Sequence, residues 1–374
     1  MQKKILIVTH DTSLTGAPLS LLHIFEWLKG NSNEYQFDIV CLKEYEGLLS
    51  RFKALSCNFF NLSTFSTKIE YPFMDKVKSR FMKVDFISEK EKFLRTLSSQ
   101  YDLIYGNTVL TLPIISQLKF HNARLKTILH VHELSTVIDE FAPQINQSKA
   151  YVDHFIAASD LVKQTLTLRY SLPKNSITRV YETTKIEKTP PINKKPIFSV
   201  VMVGGAYWRK GDDLFIQLAN LLKKESIHFY WVGFQSEERK RVNSSDIEKL
   251  GIGEKITFVQ ETDTPHELMQ AMDLFVLTSR EDPFPLSVLE AGMLGMPIVC
   301  FNQGTGIIEM QDLPGVVGVD YLDLKQMANQ ILFFKSRIEN NLFDSERHRT
   351  SFNQFFPENI APQILQVIEN CLHQ

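Results

Sequence analysis

The chain has 374 residues, of which 44% are hydrophobic, and a formal net charge of −2. This length exceeds that of one ordinary domain and the apolar content can fill two cores, so we expect two domains. The near-balance of charges excludes a strongly basic protein, so we expect no nucleic-acid partner and any basic site must be local.

Cysteine usage and the N-terminal sequence predict a cytoplasmic protein. The four cysteines lie far apart in the chain, without C-x-x-C spacing, which fits a reduced compartment. The N-terminal apolar run, ILIV at 5–8, is too short for a signal-peptide core or a membrane span. We therefore read this run as the first buried strand.

Short apolar runs alternate with helical patterns along the first half of the chain. Runs of this kind predict strands buried on both faces. They read ILIV (5–8), FDIVCL (37–42), DLIYGN (102–107), KTILHVH (126–132) and HFIAAS (154–159). Helical patterns follow at 19–30 and 161–172. The alternation predicts a doubly wound parallel sheet, and we assign residues 1–182 to an N-terminal Rossmann-like domain.

The stretch 69–86 is basic and amphipathic. At helical spacing its apolar residues share one face and its cations flank that face. Two interpretations stay open at this point. The stretch either touches the inner face of a membrane as a peripheral helix, or packs on its own domain.

A polar segment rich in proline, 183–196, lacks apolar periodicity and predicts a linker. A second alternating series then predicts another Rossmann-like sheet over 197–355. Residues 356–374 predict a C-terminal helix that packs back on the N-terminal domain. We therefore expect an α/β protein whose two doubly wound parallel-sheet domains face a central cleft. Ligands collect in such folds at the carboxyl ends of the strands.

The stretch SREDPFPLSVLEAGMLGMPIVCF (279–301) predicts a rigid turn between a strand and a helix. Its two prolines fix φ and remove two N–H donors, while the remaining amides at the helix start favour a phosphate or a hydroxyl-rich ligand. Asp282 and Glu290 add carboxylates, which accept hydrogen bonds from sugar diols. The alternative is that Ser287 and Glu290 form a capping box, which would satisfy only the helix itself.

The spacing of these two carboxylates resembles a family signature. Asp282-Pro-Phe-Pro-Leu-Ser-Val-Leu-Glu290 is similar to the E-x7-E motif of the retaining glycosyltransferases of the GT-B fold, family 4. The resemblance implies that Glu290 binds the ribose of a nucleotide. It also implies that a second group of residues faces the donor sugar, partly through backbone amides, namely Asp282, Phe284, Pro285 and Leu286. Asp282 stands where the family usually has the longer Glu.

A glycine turn followed by two cations opens the second half. In VVMVGGAYWRKGDD (200–213), Gly204 and Gly205 precede Arg209 and Lys210, whose charges can neutralise a diphosphate. Cations at a helix N-terminus oppose the helix dipole, which favours a nearby anion over a solvated pair. The segment looks like the family's strand–glycine–x–RKG pattern, which binds the diphosphate of the donor. Gly205 departs from many members, which have Arg at that place.

Three residues of the first half take roles through the same resemblance. Gly16 lies in a turn after the first strand, and is either part of a glycine-rich loop that covers the donor or a structural turn. His132 would reach the donor sugar, whereas His130 is expected to be buried and structural. Asn107 would line the acceptor side together with His132, although a turn-forming Asn fits equally well. The His-x-His pair lacks a cluster of further ligands in sequence, so we expect no metal.

The resemblance implies a glycosyltransferase that moves a sugar from a nucleotide-diphosphate sugar to the hydroxyl of a glycan or lipid-linked acceptor with retention, in cell-surface glycan synthesis. The predicted catalytic residues are Lys210, Arg209, His132 and Asp282, and no cofactor is expected. A non-catalytic GT-B subunit that binds glycan or stabilises an active partner is one alternative, and a nucleotide-sugar epimerase is another. A dehydrogenase is disfavoured because no G-x-G-x-x-G follows either opening strand.

Overall fold

A computed structural model describes residues 2–65, 88–186 and 194–373. The amphipathic stretch 69–86 lies outside these residues, so both interpretations of it stay open. The chain forms two compact units. The first unit comprises Met1–Ile156, Tyr170–Thr178 and Gln363–Gln374, and the second comprises Ala157–Arg169 and Arg179–Pro362.

The first sheet has seven strands in the order β3-β2-β1-β4-β5-β6-β7. Its strands are β1 (Lys3–Asp11), β2 (Tyr35–Lys43), β3 (Phe59–Asn61), β4 (Leu103–Asn107), β5 (Lys126–Val131), β6 (His154–Ala157) and β7 (Ile177–Arg179). The pairs from β3 through β5 are parallel. Residues Ile5 to Val8 of β1 are fully buried, as expected of a central strand covered by helices on both faces.

Helices follow the strands of this sheet. They are α1 (Gly16–Asn31), α2 (Glu46–Leu55), α3 (Glu89–Leu97), α4 (Leu112–His121), α5 (Ser135–Phe141), α6 (Ile145–Ser148) and α7 (Asp160–Leu168), the last of which belongs to the second unit. The prediction of a helix over 161–172 was wrong at its C-terminal end. The chain leaves the helix after Leu168 because Ser171 adopts a positive φ of 53° and Pro173 cannot continue a helix.

The second sheet has six parallel strands in the order β10-β9-β8-β11-β12-β13. They are β8 (Phe198–Val203), β9 (Ile227–Val232), β10 (Ile256–Val259), β11 (Leu274–Leu277), β12 (Ile298–Phe301) and β13 (Val316–Val319). The accompanying helices are α8 (Asp212–Leu221), α9 (Glu237–Leu250), α10 (Pro265–Gln270), α11 (Leu286–Met293), α12 (Leu324–Glu339), α13 (Ser345–Ser351) and α14 (Pro357–His373). The prediction of two doubly wound sheets is confirmed.

The units do not coincide with the continuous ranges predicted from sequence. The segment after β7 was assigned to the end of the first domain and the start of a linker, yet it packs in the second unit. Tyr181 stacks on Phe284 with ring centroids 4.7 Å apart, and the Thr183 hydroxyl donates to the carbonyl of Phe355 at 2.7 Å. These contacts anchor the residues from Arg179 onward in the second unit.

Candidate active site

The predicted donor residues lie at the point where the second sheet changes winding direction. The strand β8 has β9 on one side and β11 on the other, so the loops that leave β8 and β11 start side by side. In a doubly wound sheet a crevice opens at this place, outside the carboxyl ends of the strands. The loop after β8 carries Arg209 and Lys210, and the loop after β11 carries Asp282.

The ammonium group of Lys210 is paired with the carboxylate of Asp282. Lys210 Nζ lies 2.6 Å from Asp282 Oδ2, and the two side chains are 12% and 5% exposed. The hydroxyl of Ser279 donates to the same carboxylate oxygen at 3.1 Å. A partly buried, charge-assisted hydrogen bond of this kind fixes the positions of both groups. Two residues 72 positions apart in sequence are thereby held together.

Arg209 lies against the same carboxylate. Its Nη1 donates to the carbonyl of Glu281 at 2.7 Å and lies 3.8 Å from Asp282 Oδ1. Burial opposes the charge of the guanidinium, but the Asp282 carboxylate and the Tyr207 phenol outweigh it and raise the pKa of Arg209. Two cations therefore share the carboxylate of Asp282, and the carboxylate of Glu281 also acts on Arg209.

A glycine that the sequence analysis did not single out locks the two loops together. Gly211 has φ +73°, and a Cβ at this position would lie 2.1 Å from the carbonyl oxygen of Thr278. The Thr278 hydroxyl donates to the carbonyl of Lys210 at 3.1 Å, and the amide of Arg280 donates to the carbonyl of Arg209 at 2.8 Å. The sequence did contain a signal for this role: Gly211 directly follows Arg209 and Lys210 and precedes a helix, a position where glycine is favoured because it adopts positive φ.

The backbone of Asp282 is held by the loop that follows β12. Its amide donates to the carbonyl of Gly304 at 2.7 Å, and its carbonyl accepts from the amide of Gly306 at 3.0 Å. A Cβ at Gly306 would lie 1.9 Å from the carbonyl oxygen of Pro283, so only glycine fits there. The glycine-containing loop 301–310 therefore supports the acidic turn directly.

Glu290 is nearly buried and does not cap its own helix. The structure makes Pro285 the N-cap of α11, so Ser287 lies inside the first turn, where its hydroxyl donates to the carbonyl of Val203. The capping-box alternative is therefore wrong. Glu290 Oε1 accepts from the Thr184 hydroxyl at 3.3 Å, and Thr184 was not identified from the sequence. Burial raises the pKa of Glu290 to about 7, while the hydrogen bond from Thr184 lowers it in part.

The side chains between these carboxylates turn into the protein. Phe284 and Leu286 are 4% and 8% exposed, and the ring of Phe284 stacks on Tyr181 at 4.7 Å. Within the described parts of the chain, the amides of Phe284, Leu286 and Ser287 have no hydrogen-bond acceptor. Amides left over at a helix N-terminus are the usual donors to an anion. The backbone, more than the side chains, is what this turn offers a ligand.

Glu309 has a structural partner within the second unit. Its carboxylate accepts hydrogen bonds from the amides of Asp160 and Leu161 at 3.0 and 2.9 Å, which are the first residues of α7. Burial raises the pKa of Glu309, and the hydrogen bonds from these amides and from Tyr181 lower it in part. The carboxylate thus caps a helix, where it complements the positive end of the helix dipole.

The predicted residues of the first unit also gather at a switch point, between β1 and β4. Asn107 is fully buried at the end of β4, where its Nδ2 donates to the carbonyl of Ala17 at 3.1 Å and its Oδ1 lies 2.7 Å from His132 Nε2. The carbonyl of Ala17 can only accept, so Asn107 turns its Nδ2 toward Ala17 and its Oδ1 toward His132. His132 Nε2 is therefore the donor in this pair and carries a proton. Asn107 therefore orients His132. Gly16 is exposed as the first residue of α1.

His130 is buried, as expected. Its Nδ1 lies 2.7 Å from the Tyr105 hydroxyl, and its ring centroid lies 3.9 Å from that of His132. Burial first, and then the neighbouring His132, hold the pKa of His130 well below its usual value. This histidine therefore stays neutral inside the sheet.

The second unit matches a known family. Residues 182–337 match the family described as Glycosyl transferases group 1. This segment contains β8, β11, Lys210, Asp282 and Glu290, so the similarity to this family includes the predicted donor residues of the second unit. The prediction of a glycosyltransferase family is confirmed; retention and membership of family 4 stay predictions.

Two relatives align with part of the chain. The O-antigen biosynthesis glycosyltransferase WclY of Escherichia coli is 35% identical over 94 residues, which are 25% of this chain and 26% of that protein. The N,N'-diacetylbacillosaminyl-diphospho-undecaprenol alpha-1,3-N-acetylgalactosaminyltransferase of Campylobacter jejuni is 37% identical over 113 residues, or 29% of this chain and 27% of that protein. The match therefore spans about a quarter of the length of each relative.

Solved structures share the fold along the whole chain. HepE of Anabaena, solved with UDP and glucose, has a TM-score of 0.77 at 18% identity and covers 98% of this chain and 100% of its own. TarM has a TM-score of 0.75 at 13% identity and covers 100% of this chain and 99% of its own. The chain therefore has the GT-B fold.

Proposed function

We propose that the protein is a glycosyltransferase that moves a sugar from a nucleotide-diphosphate sugar to the hydroxyl of an acceptor. The observation that carries this proposal is the cluster of Arg209, Lys210 and Asp282 at the switch point of a domain of the glycosyl transferases group 1 family. Two cations held in place by one carboxylate can bind the oxygens of a diphosphate. The amides at the start of α11 add preorganised donors to the same ligand.

The reaction breaks the bond between the anomeric carbon and the diphosphate oxygen. Arg209 and Lys210 stabilise the negative charge that develops on the departing diphosphate. The acceptor oxygen bonds to the anomeric carbon on the face that the diphosphate leaves, so the configuration is retained. The acceptor proton passes to the leaving phosphate oxygen. Asp282 is not the nucleophile in this scheme, because Lys210 and Ser279 already hold its carboxylate.

The donor side is assigned to the second unit. Glu290 binds the ribose hydroxyls, and the amides of the 284–287 turn bind phosphate and sugar oxygens. The surroundings of Glu290 support this role, since its carboxyl is buried with a single hydroxyl partner among the described residues. The cations make a metal ion unnecessary, because they supply the positive charge that a divalent ion would otherwise provide.

The first unit is assigned to the acceptor. His132, which Asn107 orients, and the exposed start of α1 at Gly16 are assigned to the acceptor side. The relatives from Escherichia coli and Campylobacter jejuni are named for O-antigen biosynthesis and for a diphospho-undecaprenol substrate. These names support a glycan or lipid-linked acceptor in cell-surface polysaccharide synthesis. Every helix in residues 2–65, 88–186 and 194–373 falls short of the length and apolarity that crossing a bilayer requires.

A thermal-shift panel followed by product analysis tests the proposal. A nucleotide sugar that is the donor, at about one hundred times its dissociation constant, should stabilise the protein by roughly 2.7 kcal/mol. Lys210→Ala should lose this shift. Lys224→Ala, which removes the same charge at an exposed position, should keep it.

Product analysis separates the alternatives. A transferase releases nucleoside diphosphate and joins the sugar to an acceptor from a glycan and polyprenyl-diphosphate panel. An epimerase converts the donor when no acceptor is present. A protein that binds donor but turns over nothing with any acceptor would overturn the proposal in favour of a non-catalytic subunit.

A further inference from the structure

The loop after β8 contains an exposed tyrosine that lies against a glycine. Tyr207 is 42% exposed, so it contributes little to the core. A Cβ built at Gly205 would lie 2.5 Å from Cε1 and 3.2 Å from Cδ1 of its ring. Real Cβ atoms do not approach this closely, so the ring can occupy its place only because residue 205 is glycine.

The same tyrosine contacts Arg209. The guanidinium Nη2 donates to the Tyr207 hydroxyl at 3.2 Å, and Arg209 Cζ lies 5.5 Å from the ring centroid. The other terminal nitrogen, Nη1, donates to the carbonyl of Glu281 at 2.7 Å. One hydrogen bond at each terminal nitrogen fixes both the position and the plane of the guanidinium.

The backbone alone cannot fix the orientation of the Arg209 guanidinium. The carbonyl of Arg209 accepts from the amides of Arg280 and Glu281, which holds the main chain in place. An arginine side chain has several rotatable bonds beyond that point, and a planar group binds phosphate well only in a defined orientation. The Tyr207 phenol and the Glu281 carbonyl together fix that orientation before a ligand binds.

We propose that Tyr207 is a positioning residue that directs Arg209 at the diphosphate of the donor, and that Gly205 is glycine in order to admit the Tyr207 ring. This inference rests on the proposed function, because it assumes a diphosphate ligand at Arg209. It assigns a role to Tyr207 and Gly205 without requiring that either residue contact the ligand. Arg209 is the residue that contacts the diphosphate.

A set of variants measures this role. The probes are UDP, GDP and ADP and their nucleosides, titrated separately into the full chain, with nucleoside affinity read by competition. Tyr207→Phe keeps the ring and loses the hydroxyl, and should weaken binding of the preferred diphosphate about three- to tenfold, the usual range for one hydrogen bond. Affinity for the nucleoside should stay unchanged, because Arg209 faces only the phosphates.

Two further comparisons separate positioning from a general structural effect. In an Arg209→Ala background, Tyr207→Phe should have no further effect on diphosphate affinity. Gly205→Ala should expel the half-exposed ring, reproduce Tyr207→Ala, and add nothing to it in the double variant. Tyr321→Phe, a tyrosine of similar exposure in the same unit, should leave binding unchanged.

The inference is overturned if Tyr207→Phe binds the diphosphate as tightly as the wild type. Equal loss for diphosphate and nucleoside, or an undiminished effect in the Arg209→Ala background, overturns it as well. A wild-type protein that binds none of the three diphosphates refutes the proposed function, and this inference with it. If the wild type binds a diphosphate but Tyr207→Phe does not weaken that binding, the inference is refuted and the proposed function is not.

Discussion

Glu290 combines a buried carboxyl with a proposed role, ribose binding, that needs its charge. A carboxylate accepts hydrogen bonds from two vicinal hydroxyls, whereas the protonated acid offers one donor and a weaker acceptor. Burial raises its pKa to about 7, and the Thr184 hydroxyl opposes that shift only in part. Near neutral pH the two forms of this side chain are therefore both populated in the ligand-free protein.

Nucleotide binding should strengthen as the pH rises from 6 to 8. Ribose hydroxyls favour the ionised form of Glu290, so in the lower part of this range affinity should increase by up to about tenfold per pH unit. Calorimetry with a nucleoside diphosphate at several pH values measures this. Glu290→Gln corrects for titration of the ligand phosphate, and equal pH profiles for wild type and variant would contradict the assignment.

The same residue should make the free protein less stable at higher pH. Its pKa is raised in the folded state above the ordinary value of 4.5, so the folded chain binds more protons than the unfolded chain between these values. The free energy of unfolding therefore falls as the pH rises from about 4.5 through 7, by roughly 2 to 4 kcal/mol. Glu290→Gln should lack this loss.

Urea unfolding at pH 4.5 and pH 8 checks the prediction. The variant should match the wild type at the lower pH and exceed it in stability at the higher pH. A variant that is less stable than the wild type at pH 8 would show that the ionised carboxyl has a stabilising partner, contrary to the structure described for this site.

At the scale of one residue, the sequence indicated candidate site residues but not their hydrogen-bond partners. The acidic turn and the Arg-Lys pair were identified, yet the sequence left a capping box as an alternative for Glu290. The structure excludes it because α11 starts at Leu286, one residue before Ser287. Thr184 escaped notice because it lies 106 residues from Glu290 in a segment that reads as a linker.

At the scale of elements, the loop after β8 and the loop after β11 are joined by hydrogen bonds to main-chain carbonyls. Gly211 lies against the carbonyl of Thr278. The carbonyl of Arg209 accepts from the amides of Arg280 and Glu281, and the carbonyl of Lys210 accepts from the Thr278 hydroxyl. A change in the first connection must therefore move the second. The cations and the carboxylate keep their spacing because their loops are bonded through the main chain.

Gly211→Ala should destabilise the protein by about 2 to 4 kcal/mol. The positive φ of 73° is strained for alanine, and its Cβ would meet a backbone carbonyl that cannot move away cheaply. Gly253→Ala is the matched control, since nothing lies within 4 Å of its Cβ position. Its effect should stay within about 0.5 kcal/mol. Similar unfolding midpoints for the two variants in urea would contradict this account.

At the scale of the whole molecule, alternation of strands and helices was enough to predict both sheets. The runs at 5–8 and 102–107 coincide with β1 and β4, and the alternating series over 197–355 coincides with the second sheet. The division into units was not predictable in the same way. Periodicity reports local structure, whereas the placement of 179–186 depends on contacts with Phe284, Glu290 and Phe355.

Turnover of the donor should not require a divalent ion. Arg209 and Lys210 already place two positive charges beside Asp282, so the departing diphosphate has its counter-charge from the protein. Rates measured in EDTA and in added Mg²⁺ should agree within error. A rate that disappears in EDTA and returns with Mg²⁺ would contradict the expectation and would assign the charge neutralisation to a metal.

A crystal structure of the protein with its preferred nucleoside diphosphate tests the central claim most directly. The account predicts phosphate oxygens within hydrogen-bond distance of Arg209, Lys210 and the amides of the 284–287 turn, with the ribose on Glu290. A nucleotide bound elsewhere, with Lys210 still engaged only by Asp282 and Glu290 only by Thr184, would contradict it.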